Sequence, residues 1–216
     1  MKNSSHTLFF LLVIFSAEIS CGQKKQEQQD AVKAKVSKEC RSLNDSATKK
    51  INSFYTTNLN EQLDSAMFLL KKATECDTSY FLAYSNLTTV LALKGEYDSA
   101  IKVVNILLRL TKNDPEIVVY KGMLYEKQNK KESAQKEYNL ANKLYDDRLA
   151  QYPDSLEIVG SKMFLKAYLE GKEKALSELD IYIKKYPNNE LLQQYREMLT
   201  EFQKDDFIGS IGPLYN

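Results

Sequence analysis

The sequence predicts an all-α protein, an α-solenoid of about four helical hairpins closed by a C-terminal capping helix. Three observations point there. First, the motif Leu63-Asp64-Ser65-Ala66 returns as Tyr97-Asp98-Ser99-Ala100 and as Lys131-Glu132-Ser133-Ala134, with its alanines 34 residues apart. A looser copy, Glu173-Lys174-Ala175, follows after 41. A fixed period of this size marks a repeat architecture, in which each unit buries its apolar face on the next. Second, only seven glycines and four prolines occur in 216 residues, too few for a turn-rich β protein. Third, apolar residues between the turns recur three and four apart, the period of an amphipathic helix.

The N-terminus reads as an address label. Lys2 precedes an apolar run from Leu8 to Ala17. About ten residues cannot span a hydrocarbon core, which needs roughly 20. Residues 1–20 instead suit a secretory signal peptide. Ser20 followed by Cys21 resembles the lipobox of bacterial lipoproteins. Ile19, Ser20 and Cys21 match that family's tolerated types, while Glu18 stands where it prefers leucine. The resemblance implies that the Cys21 thiol is acylated and becomes the new N-terminus after cleavage. The alternative is an ordinary signal with an unrelated cysteine. Gly22, not aspartate, follows the cysteine, which by resemblance to Gram-negative sorting rules implies no retention in the inner membrane. The expected address is thus the cell envelope, lipid-anchored at the outer membrane and facing the periplasm. The stretch GQKKQEQQDAVKAK is polar and almost free of apolar residues, as a tether should be. Val32, Val36, Cys40 and Leu43 fall at helical spacing, so residues 21–46 are read as a tether with a possible short helix.

Residues 47–203 carry the repeats. The third copy, from Pro115, places Val118, Gly122 and Tyr125 on a first helix and Ala134, Tyr138 and Ala141 on a second. The second copy, from Phe81, gives Tyr84, Leu87, Leu91, Ala100, Val104 and Leu107, with Thr88 where a smaller residue is expected. The first copy, from about Ala47, is weak at Lys50, Ser53 and Phe54 but keeps Ala66, Leu70 and Ala73. The fourth ends in Tyr186-Pro187-Asn188-Asn189 and lacks the small residue on its first helix. This pattern resembles the tetratricopeptide repeat, whose period is 34 and whose small residue at position 20 lies where the two helices of a hairpin come closest. The resemblance covers roughly residues 47–189. It implies an all-helical interaction scaffold.

Seven extra residues separate the third and fourth copies. Nothing from Lys131 to Gln151 breaks a helix, and Pro153 then ends it. Seven residues are nearly two turns, so the apolar face through Ala134, Tyr138, Ala141, Tyr145, Leu149 and Tyr152 stays in line. A second helix two turns too long, projecting past the edge of the stack, is expected. Residues 190–203 place Leu191, Leu192, Tyr195, Met198, Leu199 and Phe202 on one stripe, suited to covering the last hairpin. Residues 204–216, with two glycines and Pro213, show no helical period and are read as a loose tail.

Charge and composition exclude several functions. Thirty Lys and Arg balance 29 Asp and Glu, whereas nucleic-acid binding usually demands a basic surplus. The one histidine, His6, lies in the signal segment, so the mature chain would hold no Ser-His-Asp or Cys-His machinery and no His-ligated zinc. Carboxylates are scattered, and neither a Gly-rich phosphate loop nor a Cys-x-x-Cys is present. No catalysis, metal, cofactor or small-molecule substrate is expected.

The repeat resemblance implies that the first helices line a concave groove for a protein or peptide partner. Its usual groove positions fall here on Tyr55, Leu82, Ser85, Thr89, Val119, Met123, Glu126, Phe164 and Tyr168. Tyr55, Thr89, Met123 and Phe164 share one repeat position and form a mostly apolar line, suited to an amphipathic or extended segment. Packing against the neighbouring repeat is the alternative for each. Asn52 and Asn86 occupy one position of the family's carboxylate clamp, but Ile51, Ser85 and Val119 stand where lysine would serve it. If Cys21 is lipidated, Cys40 and Cys76 remain as a pair in an oxidising compartment, either bridged or as two buried thiols. Two functions stand: a membrane-tethered adaptor binding in an apolar groove, or a permanent subunit of an envelope assembly docking through its convex face and long third-repeat helix.

Overall fold

The structure, a computed structural model, describes residues 36–209. The signal segment, Cys21, most of the tether and the last seven residues lie outside that range. Ten helices occur among the described residues: α1 (Lys38–Thr57), α2 (Asn60–Cys76), α3 (Phe81–Leu93), α4 (Tyr97–Leu110), α5 (Pro115–Lys127), α6 (Lys131–Gln151), α7 (Leu156–Glu170), α8 (Lys172–Lys185), α9 (Glu190–Glu201) and α10 (Lys204–Gly209). They pair as hairpins α1–α2, α3–α4, α5–α6 and α7–α8, each second helix also touching the next first helix. The result is an α-solenoid closed by α9, which covers both α7 and α8.

The alanine repeat sits where steric reasoning puts it. Ala66, Ala100, Ala134 and Ala175 are all 0% exposed, in an interior filled as densely as protein cores are. The short turns between hairpin helices need left-handed backbone, which Asn and Gly adopt most readily: Asn58, Gly95 and Asn129 supply it after α1, α3 and α5. Helix starts are marked by Ser37, Asp114 and Asn189, whose side chains accept from the backbone N–H of Cys40, Glu116 and Leu192. A polar tie repeats as well. Asp64 pairs with Lys94, and 34 residues on Asp98 accepts from Gln128 Nε2 at 2.8 Å.

Three boundaries differ from the sequence reading. The first hairpin begins at Lys38, inside the segment read as a tether with a possible short helix, and that helix runs on unbroken into the first repeat, because Val36, Cys40 and Asn44 are buried with Ala47, Ile51 and Phe54 on one face. Asn44 is held there by Asn86, whose Nδ2 donates to its Oδ1 at 2.9 Å. Second, α6 has 21 residues against 14 in α4 and α8, but its extra turns do not project bare. Tyr145 is 3% exposed, and Arg148 Nη2 donates at 2.9 Å to Asp114, the cap of α5. Tyr152, just past its end, is 62% exposed. Third, the segment assigned to a loose tail starts with α10.

The fourth repeat has the buried Met163 where the third has Gly122, but a glycine lies one turn earlier, against the cap. A Cβ on Gly160 would lie 2.3 Å from the Tyr195 ring of α9, so only glycine lets the cap ring seat there. Gly122 does the same for Tyr138 within the third hairpin. Cys40 and Cys76 form a disulfide with Cα atoms 5.6 Å apart, tying the start of α1 to the end of α2. Closing a loop of 36 residues contributes about 4 kcal/mol in the chain-entropy account.

Candidate functional site: the face of the first helices

The first helices α1, α3, α5 and α7 supply one face of the stack, and side chains link them along it. At one end Tyr55 of α1, Thr89 of α3 and Tyr120 of α5 come together. Burial pushes the Tyr120 hydroxyl well above its ordinary pKa, with Tyr55 adding to the rise and a hydrogen bond with Thr89 opposing it. Burial also raises Tyr55. Both hydroxyls therefore stay neutral at physiological pH.

At the other end α5 and α7 are joined by polar contacts. Tyr168 donates its hydroxyl proton to Glu126 at 2.7 Å, and Ser161 donates to Glu116 at 2.9 Å. The Tyr168 ring meets Tyr138 edge-on at 5.2 Å. Burial first, and then the bond to Glu126, hold the Tyr168 hydroxyl above its ordinary range. Tyr195 of the cap is pushed up to about 12, mainly by burial, with the charges of Glu157 and Glu116 adding to it.

The chain's own C-terminal helix lies on this same end. α10 touches α5 and α7. Lys204 Nζ lies 4.5 Å from the centroid of the Tyr168 ring, a cation over an aromatic face. Phe202, just before it, packs against Phe164 with ring centroids 6.4 Å apart, and Ile208 packs half-buried against the core.

The nine predicted groove residues divide accordingly. Leu82 is 39% exposed, and Tyr55, Thr89 and Glu126 are half-buried. Ser85, Val119, Met123, Phe164 and Tyr168 are buried. The expected open apolar line through Tyr55, Thr89, Met123 and Phe164 is thus corrected: it is interrupted after Thr89. Met123 is 0% exposed and belongs to the core, and Phe164 is covered by Tyr195 and Phe202. Repeat position alone does not distinguish a groove residue from one that the next element covers. Sequence reasoning missed Tyr120, Lys204 and Ile208. The last two are four residues apart, a helical spacing too brief to register over six residues.

The carboxylate-clamp positions hold no clamp, since Asn86 is engaged by Asn44 and Thr48 of α1. Among the described residues no group of three His, Cys, Asp or Glu side chains is placed to hold a metal ion, and no helix is long and apolar enough to cross a membrane.

No family model matches the chain, and no curated protein does. Among solved structures it is similar to a tetratricopeptide repeat protein from Parabacteroides merdae ATCC 43184, at 19% identity and a TM-score of 0.41. The match covers 72% of this chain and 59% of that one, so less than two thirds of that structure's length is spanned. Likeness at that level says nothing of what either chain binds.

Proposed function

We propose that the chain is a non-catalytic protein-binding module of the bacterial cell envelope, anchored by lipid at Cys21, that holds a helical segment of a partner against the face of its first helices. One observation carries the binding part: this face already accepts a short helix, since α10 rests on α5 and α7 through an aromatic–cation contact and apolar packing. A surface that takes one amphipathic segment has the shape and chemistry to take another. The accessible part, Tyr55, Leu82, Thr89 and Glu126, extends that face towards the N-terminal hairpin. The anchor rests on the Ser20-Cys21 lipobox resemblance and the polar stretch after it.

For the structural-subunit alternative the long α6 offers less free surface, because its Tyr145 and Arg148 are engaged within the chain. Affinity capture of the native protein from membranes, followed by recapture with Tyr55→Glu and Leu82→Glu, tests the binding reading. Each substitution should weaken recovery of the partner at least tenfold; the melting temperature should stay nearly unchanged for the exposed Leu82→Glu and fall for Tyr55→Glu, whose ring packs half-buried on the core. Full recovery with both variants would place the contact elsewhere. For the anchor, Cys21→Ala should abolish fatty-acid labelling and release the chain to soluble fractions; unchanged labelling would contradict it.

A further inference from the structure

The cap and the last helix are built differently. α9 contributes Leu192 and Leu199, both 0% exposed, and its Tyr195 fills the space over Gly160; it belongs to the core. α10 has only six residues and touches two helices. A helix so short does not persist alone in water, so docking is what holds it. Its described contacts are few: Lys204 over the Tyr168 ring, and the half-buried Ile208 four residues on, about one turn along the same side. The Tyr168 hydroxyl points its proton at Glu126, so a carboxylate lies next to the ring that receives the cation.

We infer that α10 is an intramolecular occupant of the first-helix face, displaced when a partner binds, and that its pattern states what the partner must offer: a basic side chain for the Tyr168 ring and an aliphatic one a turn later. This rests on reading the first-helix face as the binding surface. A segment joined through Phe202 and Gln203 alone is held at an effective concentration on the order of millimolar. A contact that is weak in itself therefore stays closed at rest. A partner segment with the same two anchors and more length competes it off. The resting chain in turn keeps the Tyr168 ring covered, which limits adventitious apolar association.

The chain contains no tryptophan, so Ile208→Trp in the full-length protein gives a single reporter on α10. Its emission should be blue-shifted at rest. A synthetic peptide of residues 200–216, added to millimolar concentration, should move it saturably to the emission of water-exposed tryptophan, while a scrambled peptide should not. Adding Lys204→Ala to the reporter chain should lower the peptide concentration required by roughly two- to fivefold, the worth of an exposed cation–aromatic contact. The melting temperature should not change, which separates a displaceable occupant from a structural element. Water-like emission at rest would overturn the inference, and so would buried emission that the peptide does not move. No partner enters this experiment. Displacement thus stands or falls separately from the capture experiment that tests where the partner binds.

Discussion

Replacing Gly122 by alanine adds one methyl group at the tightest point of the third hairpin. The new Cβ would stand 2.4 Å from Cε1 and 2.7 Å from Cδ1 of Tyr138, whereas carbon atoms in contact prefer about 3.5–4.0 Å. The ring would have to retreat by roughly an ångström, and it has nowhere to go. Tyr138 is 1% exposed, its neighbours Ala134 and Ala141 are 0% exposed, and Tyr168 lies edge-on against it. Two effects oppose each other. Alanine is worth about 1 kcal/mol over glycine inside a helix. Overpacking a filled site costs about 1–3 kcal/mol. Because the obstructing group is a rigid ring rather than the end of a flexible chain, the cost prevails, with a net loss of up to about 2 kcal/mol. The sign should reverse once the ring is gone: in a Tyr138→Leu background, Gly122→Ala should be neutral or stabilising by up to about 1 kcal/mol. Urea unfolding followed by circular dichroism, applied to all four chains of the cycle, reads both numbers. A stabilising Gly122→Ala in the otherwise native chain, or an equal effect in both backgrounds, would refute the packing on which the register rests.

Further outcomes follow from the same geometry. Ala100→Leu should cost about 1–3 kcal/mol by overpacking the second hairpin; a loss under about half a kcal/mol would mean the alanines do not mark the crossings. Replacing Cys40 and Cys76 together by serine should cost about 3–4 kcal/mol of unfolding free energy under oxidising conditions and nothing measurable relative to the reduced native chain. Stability should be level from neutral pH to about 10 and fall above it. Burial raises the pKa of Tyr120, Tyr138 and Tyr145, so the folded chain keeps protons that the unfolded chain, ionising near 10, gives up. Tyrosinate absorbance should show these three ionising only as helicity is lost. Titration of all fourteen tyrosines together near 10 with helicity intact would contradict their burial.

Much of the architecture was legible because steric demands leave a mark at fixed spacing. The alanines at 66, 100, 134 and 175 are all fully buried, as the period of small residues predicts. The lengthened α6 could be read from seven residues without a helix breaker. What escaped were features set by contact between distant elements. The start of α1 showed a helical spacing through Val36, Cys40 and Leu43, but the burial of the polar Asn44 is explained only by Asn86, 42 residues away. Gly160 is explained only by the Tyr195 ring that enters over it from the cap. For the binding face the limit was the same: Met123 and Tyr55 share one repeat position, yet Met123 is sealed and Tyr55 is half-open because different neighbours cover them. The role of α10 was hidden since six residues are too few to show a period.

The central claim is that a partner meets the first helices and not the outer, second ones. A photo-crosslinking amino acid placed at Leu82, 39% exposed on α3, or at Ile181, 65% exposed on α8, compares the two faces in living cells. The account predicts a discrete crosslinked protein from position 82 and none from position 181. The same product from 181, with nothing at 82, would contradict it.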